Sequence, residues 1–477
     1  MSALHDRIEG VLLGTAAGDA LGAAYEFEPP RGPELPVAMT ASRYWELGEW
    51  TDDTAMAVAI AEVAATGADL RAAAAQDAVV SRWYEWSSAA KDVGIQTGQI
   101  LRECAADGTP SAARARAAAR RLHERTGRTG GNGSLMRTAP VALAYLDDEE
   151  AMVAAARAIS DLTHPDPDAG DAVVLWCSAI RHAVLDAKLD IRVGLDHLPA
   201  DRRAVWLQRI EDAEQARPAD FPNNGWVVEA LQAAWSAITL TAASAERFAA
   251  EHLRHGLEAA VRCGNDTDTV AAIAGGLLGA AYGASAVPLQ WRRVLHGWPG
   301  YTARDLVQLA NAVAGSSLPE PDYTGFRTGT LVPHPHDPGV LLGGYDAVRE
   351  LPAGVTAVVS LCRVGGVCLP DGTAHVEVRL IDTSSPQENP HLDYVLLETA
   401  STVEQLRAEG HTVLVHCVEA YSRTPTVAAL YGARRRGIDT ATALRDVLAV
   451  LPHAEPNPAF RDALRRLDHI AGPGADR

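Results

Sequence analysis

Hydrophobic and small residues recur along the first two thirds of the chain with the spacing of buried helix faces. Clusters of Gly, Pro and Asn interrupt these stretches, and no run of alternating β-branched residues stands out before residue 315. The pattern therefore predicts a nearly all-helical part. The predicted helices include residues 54–66, 70–88, 111–125, 169–185, 244–261 and 268–283.

The pattern changes after residues 316–325 (SSLPEPDYTG), a linker-like segment with two prolines and no periodicity. Short β-branched runs typical of buried strands follow at residues 355–362, 376–381 and 412–416. Helical stretches alternate with them, at residues 392–409, 425–436, 441–451 and 458–470. This alternation predicts an α/β fold with a central sheet flanked by helices. We place the domain boundary near residue 322, which gives domains of residues 1–322 and 323–477.

Composition excludes several classes of protein. The 477 residues carry a net charge of −19, which argues against coating nucleic acid or docking on anionic lipid. Residues 1–322 contain 28 Lys and Arg against 43 Asp and Glu, so most of the excess, −15, belongs to the helical part. The six cysteines include no Cys-x-x-Cys pair, so we expect neither a disulfide framework nor a zinc ribbon, and a cytoplasmic location.

Two runs of small and apolar residues, 10–25 and 270–287, superficially resemble membrane spans. Asp19 interrupts the first run, and the second is mostly alanine and glycine, which insert weakly into lipid. We therefore predict tightly packed core helices, in which small residues allow the backbones to approach closely, and no contact with a membrane.

Two acidic motifs carry the candidate chemistry of the helical part. Residues 48–56 (GEWTDDTAM) and 264–270 (GNDTDTV) each place two aspartates within three residues, flanked by threonines, directly before an alanine-rich helix. One Asp or Thr at such a position is explained as a helix N-cap. Two aspartates in each of two motifs exceed what capping requires, and clustered carboxylates repel unless a cation neutralises them. Hard oxygen ligands favour Mg²⁺, Mn²⁺ or Ca²⁺ over zinc, although caps and surface charge stay open as an alternative.

The helical part resembles the ADP-ribosylglycohydrolase family over nearly all of residues 6–315. Five motifs, in the order in which the family has them, carry this resemblance: residues 14–26 (GTAAGDALGAAYE), 50–56 (WTDDTAM), 131–137 (GNGSLMR), 163–164 (TH) and 264–269 (GNDTDT). The resemblance implies an all-α domain with a centre of two Mg²⁺ ions. The matching ligands are Thr51, Asp52, Asp53, Asp266, Asp268 and Thr269.

The same resemblance implies that the metals hold two ribose hydroxyls of the substrate and orient a water toward the anomeric carbon. Glu26 matches the family's catalytic glutamate, as general acid and base or as a gate, although by itself it is equally explained as a surface carboxylate. His164 matches a phosphate-contacting histidine, although the following residues 165–168 (PDPD) depart from the usual small-residue run. The turn formed by Gly131, Asn132, Gly133 and Ser134 suits close approach of backbone to a pyrophosphate or ribose, or is an ordinary loop before a helix.

A cysteine motif dominates the second part, at residues 413–426 (VLVHCVEAYSRTPT). Five residues separate Cys417 from Arg423, between a predicted strand and a helix that ends in basic residues and a glycine. Successive amides at the helix start, together with an arginine, suit a phosphate dianion, and the same field favours a reactive thiolate. A buried structural cysteine is the alternative, and the Cys-x5-Arg spacing argues against it.

Residues 328–470 resemble the dual-specificity branch of the protein-tyrosine phosphatases, on the strength of this motif. The resemblance implies that Cys417 is the nucleophile, that Arg423 holds the phosphoryl oxygens and that Thr424 assists breakdown of a phosphocysteine, with no metal in this domain. Asp382 is the candidate general acid and Asp393 the second candidate. Ala420 stands where the family usually has glycine, so a positive φ there would strain the loop by about 1 kcal/mol or more.

These motifs predict a bifunctional enzyme. The first domain is expected to hydrolyse N- or O-glycosyl bonds of ADP-ribosylated proteins or small molecules, with a mild preference for ADP-ribosyl-arginine. The second is expected to act on a phosphorylated substrate that the sequence does not identify. The alternative is a binding or regulatory protein in which one domain has lost catalysis, and Ala420 is its best support.

Overall fold

The computed structural model describes residues 2–106, 108–242 and 247–471. The chain forms two compact units. The helical unit comprises Leu4–Val287 and Val294–Ser317, and the α/β unit is built mainly from the chain beyond Leu318, with Pro288–Arg293 added. The boundary near residue 322 stays a prediction for the limits of independently folding domains.

Helices make up nearly all of the regular structure in the helical unit. They are α1 (Ala3–Gly22), α2 (Asp52–Ala64), α3 (Ala73–Ser87), α4 (Ile95–Ala106), α5 (Ala112–Thr126), α6 (Ala139–Ala144), α7 (Glu149–Ser160), α8 (Pro167–Asp186), α9 (Ala200–Gln215), α10 (Val227–Thr241), α11 (Glu251–Val261), α12 (Thr267–Tyr282) and α14 (Ala303–Val313). The unit also contains a small antiparallel hairpin, formed by β1 (His296–Gly297) and β2 (Tyr301–Thr302). The sequence pattern does not predict it, because each strand has only two residues.

Two helices begin later than predicted. α3 begins at Ala73 instead of residue 70, because the amide of Ala72 bonds the carbonyl of Asp69 in a turn. α11 begins at Glu251, after a turn in which the amide of Glu251 bonds the carbonyl of Phe248. The start of the predicted helix 244–261 falls on residues 244–246, which lie outside the described residues.

The crossing of α1 and α12 explains both runs of small residues. A Cβ atom built on Gly18 would lie 2.0 Å from the carbonyl oxygen of Ala271, and one on Gly275 would lie 2.1 Å from that of Gly14, so only glycine fits at either place. The glycines that line α1 recur every four residues, at Gly10, Gly14, Gly18 and Gly22. No helix in the described ranges is long and apolar enough to cross a membrane. The crossing instead sets the end of α1 beside the start of α12.

The α/β unit is built on a five-stranded sheet with strand order β3-β4-β7-β5-β6. Its strands are β3 (Leu331–His334), β4 (Asp337–Gly343), β5 (Ala357–Ser360), β6 (Ala374–Glu377) and β7 (Val413–His416). β3 is antiparallel to β4, and the remaining pairs are parallel. The helices of this unit are α13 (Leu289–Arg292), α15 (Asp346–Arg349), α16 (Leu392–Ala408), α17 (Arg423–Arg436), α18 (Thr440–Val450) and α19 (Pro458–Ala471).

Strands β3 and β4 were missing from the sequence prediction because prolines interrupt residues 331–343 (LVPHPHDPGVLLG). Pro333 is tolerated because β3 is an edge strand and pairs on one side only. The central strands β5 and β7 are buried along their whole length, as their β-branched sequences indicate. This central pair carries the end of β7 directly into the cysteine motif.

Candidate functional site

The ends of three helices bring six carboxyl groups together in the helical unit. One oxygen each from Asp19, Asp53 and Asp268 lies within 4.8 Å of the others, and the same holds for Glu26, Asp266 and Asp268. Asp52 adjoins them at the start of α2. We call this cluster the acidic centre; its members are Asp19, Glu26, Asp52, Asp53, Asp266 and Asp268.

Asp19 belongs to the acidic centre, although the sequence prediction did not assign it a role. Its carboxylate accepts hydrogen bonds from the backbone amides of Thr51 (2.8 Å) and Thr54 (2.9 Å) and from the hydroxyl of Thr54 (2.6 Å). The carboxylate from α1 thus satisfies amides that open α2. A lone carboxylate in a long run of small and apolar residues was the signal that could have identified it.

The threonine hydroxyl of the first motif points at the carboxylates. Oγ1 of Thr51 lies 3.0 Å from Oδ2 of Asp53 and 3.5 Å from Oδ2 of Asp268. Thr51 occupies the N-cap position of α2, yet its side chain accepts no cap hydrogen bond from the amides of that helix. Simple capping therefore does not account for Thr51. Thr269, the last predicted ligand, is buried, and its amide donates to Oδ1 of Asp268 at 3.0 Å.

The loop Gly131–Ser134 meets the acidic centre through Asn132. The side-chain amide of Asn132 donates to Oδ2 of Asp266 at 2.7 Å and to the carbonyl of Asn224 at 2.9 Å. Asn224 in turn accepts the amide of Asp266 through Oδ1 at 3.1 Å. Asn224 lies outside the family motifs identified above, and only the fold brings it to the site.

Burial and mutual repulsion raise the pKa values of the acidic centre. Desolvation is the larger cause, and neighbouring carboxylates add to it at Glu26, Asp52, Asp53 and Asp268. The pKa is raised to about 6 for Asp19, about 7 for Asp52 and about 8 for Glu26, and well above the ordinary value for Asp53 and Asp268.

One oxygen of the centre is conspicuously unsatisfied. Oδ1 of Asp53 is buried and has no hydrogen-bond partner among the described residues. A buried carboxylate oxygen without a donor is costly unless a cation or a proton neutralises it. The donor set consists of hard carboxylate and hydroxyl oxygens, which is the chemistry that Mg²⁺, Mn²⁺ and Ca²⁺ prefer. The residues present therefore fit a divalent cation.

His164 lies against the same loop. It is buried, and Cβ atoms built on Gly133 and Gly131 would lie 3.1 Å and 3.5 Å from its Nε2. Burial, assisted by the charge of Arg137, holds the pKa of His164 well below its ordinary value, so the ring is neutral. The glycines thus leave room for the imidazole edge.

The cysteine loop of the α/β unit joins β7 to α17. Cys417 is 2% exposed, and the hydroxyl of Thr424 is buried with no hydrogen-bond partner in the described residues. Nη1 of Arg423 donates to the carbonyl oxygens of Leu361 (2.8 Å) and Leu380 (3.3 Å). The guanidinium is therefore anchored beside the loop.

The structure distinguishes the two candidate general acids by position. Oδ2 of Asp382 lies 3.7 Å from Nε of Arg423, whereas Asp393 forms a two-pronged ion pair with Arg466 at 2.6 and 2.7 Å. Oδ1 of Asp382 also accepts from Nδ2 of Asn457 at 2.9 Å. Asp382 is thus the candidate that lies beside the cysteine loop.

Asn457 is a loop partner that the sequence analysis missed. Its amide donates to Oγ of Ser422 at 3.2 Å, and its Oδ1 accepts the amide of Phe460 at 3.0 Å in the first turn of α19. It therefore joins the cysteine loop, Asp382 and a helix start. Nothing in the sequence marks Asn457 as a loop partner. It lies 40 residues after Cys417, and no spacing rule links the two positions.

Ala420 has a φ of +54° and is fully buried. A positive φ at this position is the condition for strain in the loop, and the structure meets it. An alanine in this left-handed conformation costs about 1 kcal/mol relative to glycine.

The comparisons with known proteins find relatives for both parts of the chain. The ADP-ribosylglycohydrolase family profile matches residues 1–321, and the chain belongs to this family. It is 28% identical over 300 residues to "ADP-ribosylarginine hydrolase Tri1" of Pseudomonas putida (strain GB-1), covering 60% of this chain and 73% of that protein. It is 29% identical over 300 residues to "ADP-ribosyl-[dinitrogen reductase] glycohydrolase" of Rhodospirillum rubrum, covering 60% of this chain and 90% of that one.

The C-terminal part is similar to dual-specificity phosphatases. It is 34% identical over 118 residues to "Protein phosphatase Slingshot homolog 3" of Homo sapiens. That match covers 25% of this chain and 17% of the relative, so it extends to the phosphatase-like part only.

Proposed function

We propose that the helical unit hydrolyses ADP-ribosyl linkages with the help of divalent cations. The observation that carries the proposal is the acidic centre itself: five aspartates and Glu26, largely buried, with one carboxylate oxygen that lacks any donor in the described residues. Such an arrangement is unfavourable without a cation. Family membership gives the cluster its reaction class.

Two Mg²⁺ ions would be held by Thr51, Asp52, Asp53, Asp266, Asp268 and Thr269, with Asp19 and Glu26 beside them. When bound, the cations supply positive charge that binds and polarises hydroxyl groups of the substrate ribose. The protein's own residues orient the substrate and handle protons. Asn132 fixes Asp266 and belongs to the loop Gly131–Ser134, to which we assign binding of the pyrophosphate or ribose.

Glu26 is assigned the proton transfer. A water molecule adds to the anomeric carbon while the bond from that carbon to the acceptor nitrogen or oxygen breaks. Glu26 accepts the proton of the water and returns a proton to the leaving acceptor, so that ADP-ribose and the free acceptor are the products. Its carboxyl group is half-buried beside the centre, where burial and the neighbouring carboxylates raise its pKa to about 8 in the absence of cations.

We propose that the acceptor is arginine and the substrate an ADP-ribosyl-arginine, because this is the linkage in the name of the Tri1 relative. The test is release of ADP-ribose from arginine-linked, serine-linked and nucleotide-linked substrates by the full chain, with Mg²⁺ and with EDTA. Release from the arginine-linked substrate that requires Mg²⁺ supports the proposal. Equal release in EDTA would refute the assigned metal, and faster release from another linkage would refute the acceptor.

The cysteine loop favours a second activity, a phosphatase reaction. The thiolate of Cys417 attacks phosphorus and forms an S–P bond, while the bond from phosphorus to the ester oxygen breaks and that oxygen leaves with a proton from Asp382. Water then hydrolyses the S–P bond, Asp382 takes back the proton, and inorganic phosphate leaves. The position of Asp382 beside Arg423 supports these roles.

Turnover of p-nitrophenyl phosphate in EDTA tests this second activity. The rival hypothesis, a phosphate-binding domain without catalysis, predicts binding of phosphate or vanadate by calorimetry with no turnover. The strained Ala420 is the observation that favours the rival.

A further inference from the structure

Arg137 is a buried charged side chain to which the proposed reaction assigns no role. Arg137 is completely buried, and its guanidinium carbon lies 3.9 Å from the centre of the Trp83 ring. Its Nη2 donates a hydrogen bond to Oγ1 of Thr163 at 2.7 Å. Oγ1 of Thr163 lies 2.7 Å from Nδ1 of His164. We call these three side chains the Arg137–Thr163–His164 relay.

Hydrogen-bond chemistry determines where each proton of the relay resides. A guanidinium only donates, so the hydroxyl oxygen of Thr163 accepts from Arg137 and keeps its own proton to donate. In the part of the chain that the structure describes, Nδ1 of His164 lies within hydrogen-bond distance of that hydroxyl and accepts its proton. The reverse arrangement would leave a fully buried hydroxyl proton without an acceptor. Nδ1 is therefore unprotonated, and the neutral ring carries its proton on Nε2.

The Nε2–H group faces the loop Gly131–Ser134. A Cβ atom on Gly133 would lie 3.1 Å from Nε2. His164 is only 2% exposed, and no described residue accepts a hydrogen bond from Nε2. An oxygen of a ligand bound in front of the loop can accept this proton. The loop Gly131–Ser134 in turn contacts the acidic centre through Asn132.

We propose that Thr163, oriented by Arg137, is a positioning residue that fixes His164 as an Nε2–H donor to a phosphoryl or ribosyl oxygen of the substrate. The substrate half of this inference rests on the proposed ADP-ribosyl hydrolase function. The position of the ring proton does not depend on it. The two can therefore fail separately.

Nuclear magnetic resonance of the full chain with ¹⁵N-labelled histidine reads the proton position directly. The His164→Gln variant identifies the His164 signals by their loss. We expect the wild type to show a neutral ring protonated at Nε2, Thr163→Ser to keep this pattern, and Thr163→Val to show a mixture of tautomers. A wild-type ring protonated at Nδ1, or a tautomer unchanged in Thr163→Val, would overturn the proposal. If Thr163→Val does not fold, the wild-type and Thr163→Ser spectra still decide.

Kinetics test the substrate half. Loss of one oriented hydrogen bond in the ground state should raise KM for the ADP-ribosylated substrate about tenfold in Thr163→Val and change kcat by less than about twofold. Thr163→Ser should restore KM to within about twofold of the wild type. An unchanged KM in Thr163→Val would refute the contact with substrate. If the wild type releases no ADP-ribose at all, the proposed function fails, and the resonance experiment still tests the proton position.

Discussion

The acidic centre and the cysteine loop are both suited to a polar substrate, but they differ in charge. They also differ in how the chain builds them, from distant segments in one case and from a single segment in the other. The acidic centre gathers carboxylates from α1, α2 and α12, separated by up to 249 residues from Asp19 to Asp268. The cysteine loop is one continuous segment from Cys417 to Thr424, anchored by Arg423. The packing of helices holds the carboxylates of the first together against their repulsion, whereas the second is a single segment that contacts such as Arg423 with Leu361 anchor. The first site should therefore depend on metal, and the second should not.

The largest expected effect separates the two chemistries. Cys417→Ser should lower p-nitrophenyl phosphate turnover at least about 10³-fold, because the hydroxyl is a far weaker nucleophile. ADP-ribose release should stay at the wild-type rate. Cys368→Ser, at an exposed cysteine, is the matched control and should keep both activities. Phosphatase turnover that survives Cys417→Ser would refute the assigned nucleophile.

Removal of one carboxylate tests the other side of the comparison. Asp53→Asn should lower ADP-ribose release by about 10² to 10³-fold and weaken Mg²⁺ binding measured by calorimetry, because Asp53 is buried in the centre. Phosphatase turnover should not change. Asp393→Asn, in a surface ion pair of the α/β unit, is the charge-matched control. Normal Mg²⁺ affinity in Asp53→Asn would remove this residue from the metal site.

The helix crossing beneath the acidic centre should tolerate no added methyl group. Gly18→Ala places a Cβ atom 2.0 Å from a backbone oxygen, so we expect a loss of about 3 kcal/mol in unfolding free energy, or failure to fold. Gly225→Ala is the control, because a Cβ atom there meets nothing within 4 Å, and it should change stability by less than about 0.5 kcal/mol. Chemical denaturation measures both. A stable Gly18→Ala variant would contradict the close crossing.

The raised pKa values predict how pH affects stability without metal. At pH 6.5 the folded protein keeps protons on Asp52 (pKa about 7) and Glu26 (pKa about 8) that the unfolded chain has already lost, and it releases most of them by pH 8.5. The free energy of unfolding in EDTA should therefore fall as pH rises across this window, by about 1 kcal/mol or more. Saturating Mg²⁺ should remove most of the fall, because cations replace the protons. Urea titrations at both pH values check this, and stability that rises with pH in EDTA would contradict it.

The smallest expected effect concerns the strained loop. Ala420→Gly should stabilise the protein by about 1 kcal/mol, because glycine adopts a φ of +54° without the Cβ penalty. Ala449→Gly, at an exposed position in α18, should destabilise it by a similar amount. Melting temperatures of the two variants give the sign. If Ala420→Gly also raises phosphatase turnover, the strain is what limits this loop; no gain in stability would refute the strain.

Much of both sites could be predicted from the sequence, for different reasons. The cysteine loop was predictable because its residues are contiguous, so the chain order itself places Cys417, Arg423 and Thr424 together. The acidic motifs contain more carboxylates than helix capping requires, which indicated a site. They did not indicate which of these carboxylates lie close together. Asp19 was not assigned to the site, because a single aspartate in a helix does not indicate which distant residues it contacts.

The sequence by itself determined the two element patterns, the small-residue spacing of α1 and the continuous loop after β7, because periodicity and spacing act between near neighbours. The tertiary structure alone decided that Asp19 joins the motif carboxylates, that Asn457 reaches Asp382, and that Asp393 pairs elsewhere. It also decided the charges. Desolvation and repulsion depend on what surrounds a carboxyl group in space, and only the packing of α1 against α12 creates those surroundings.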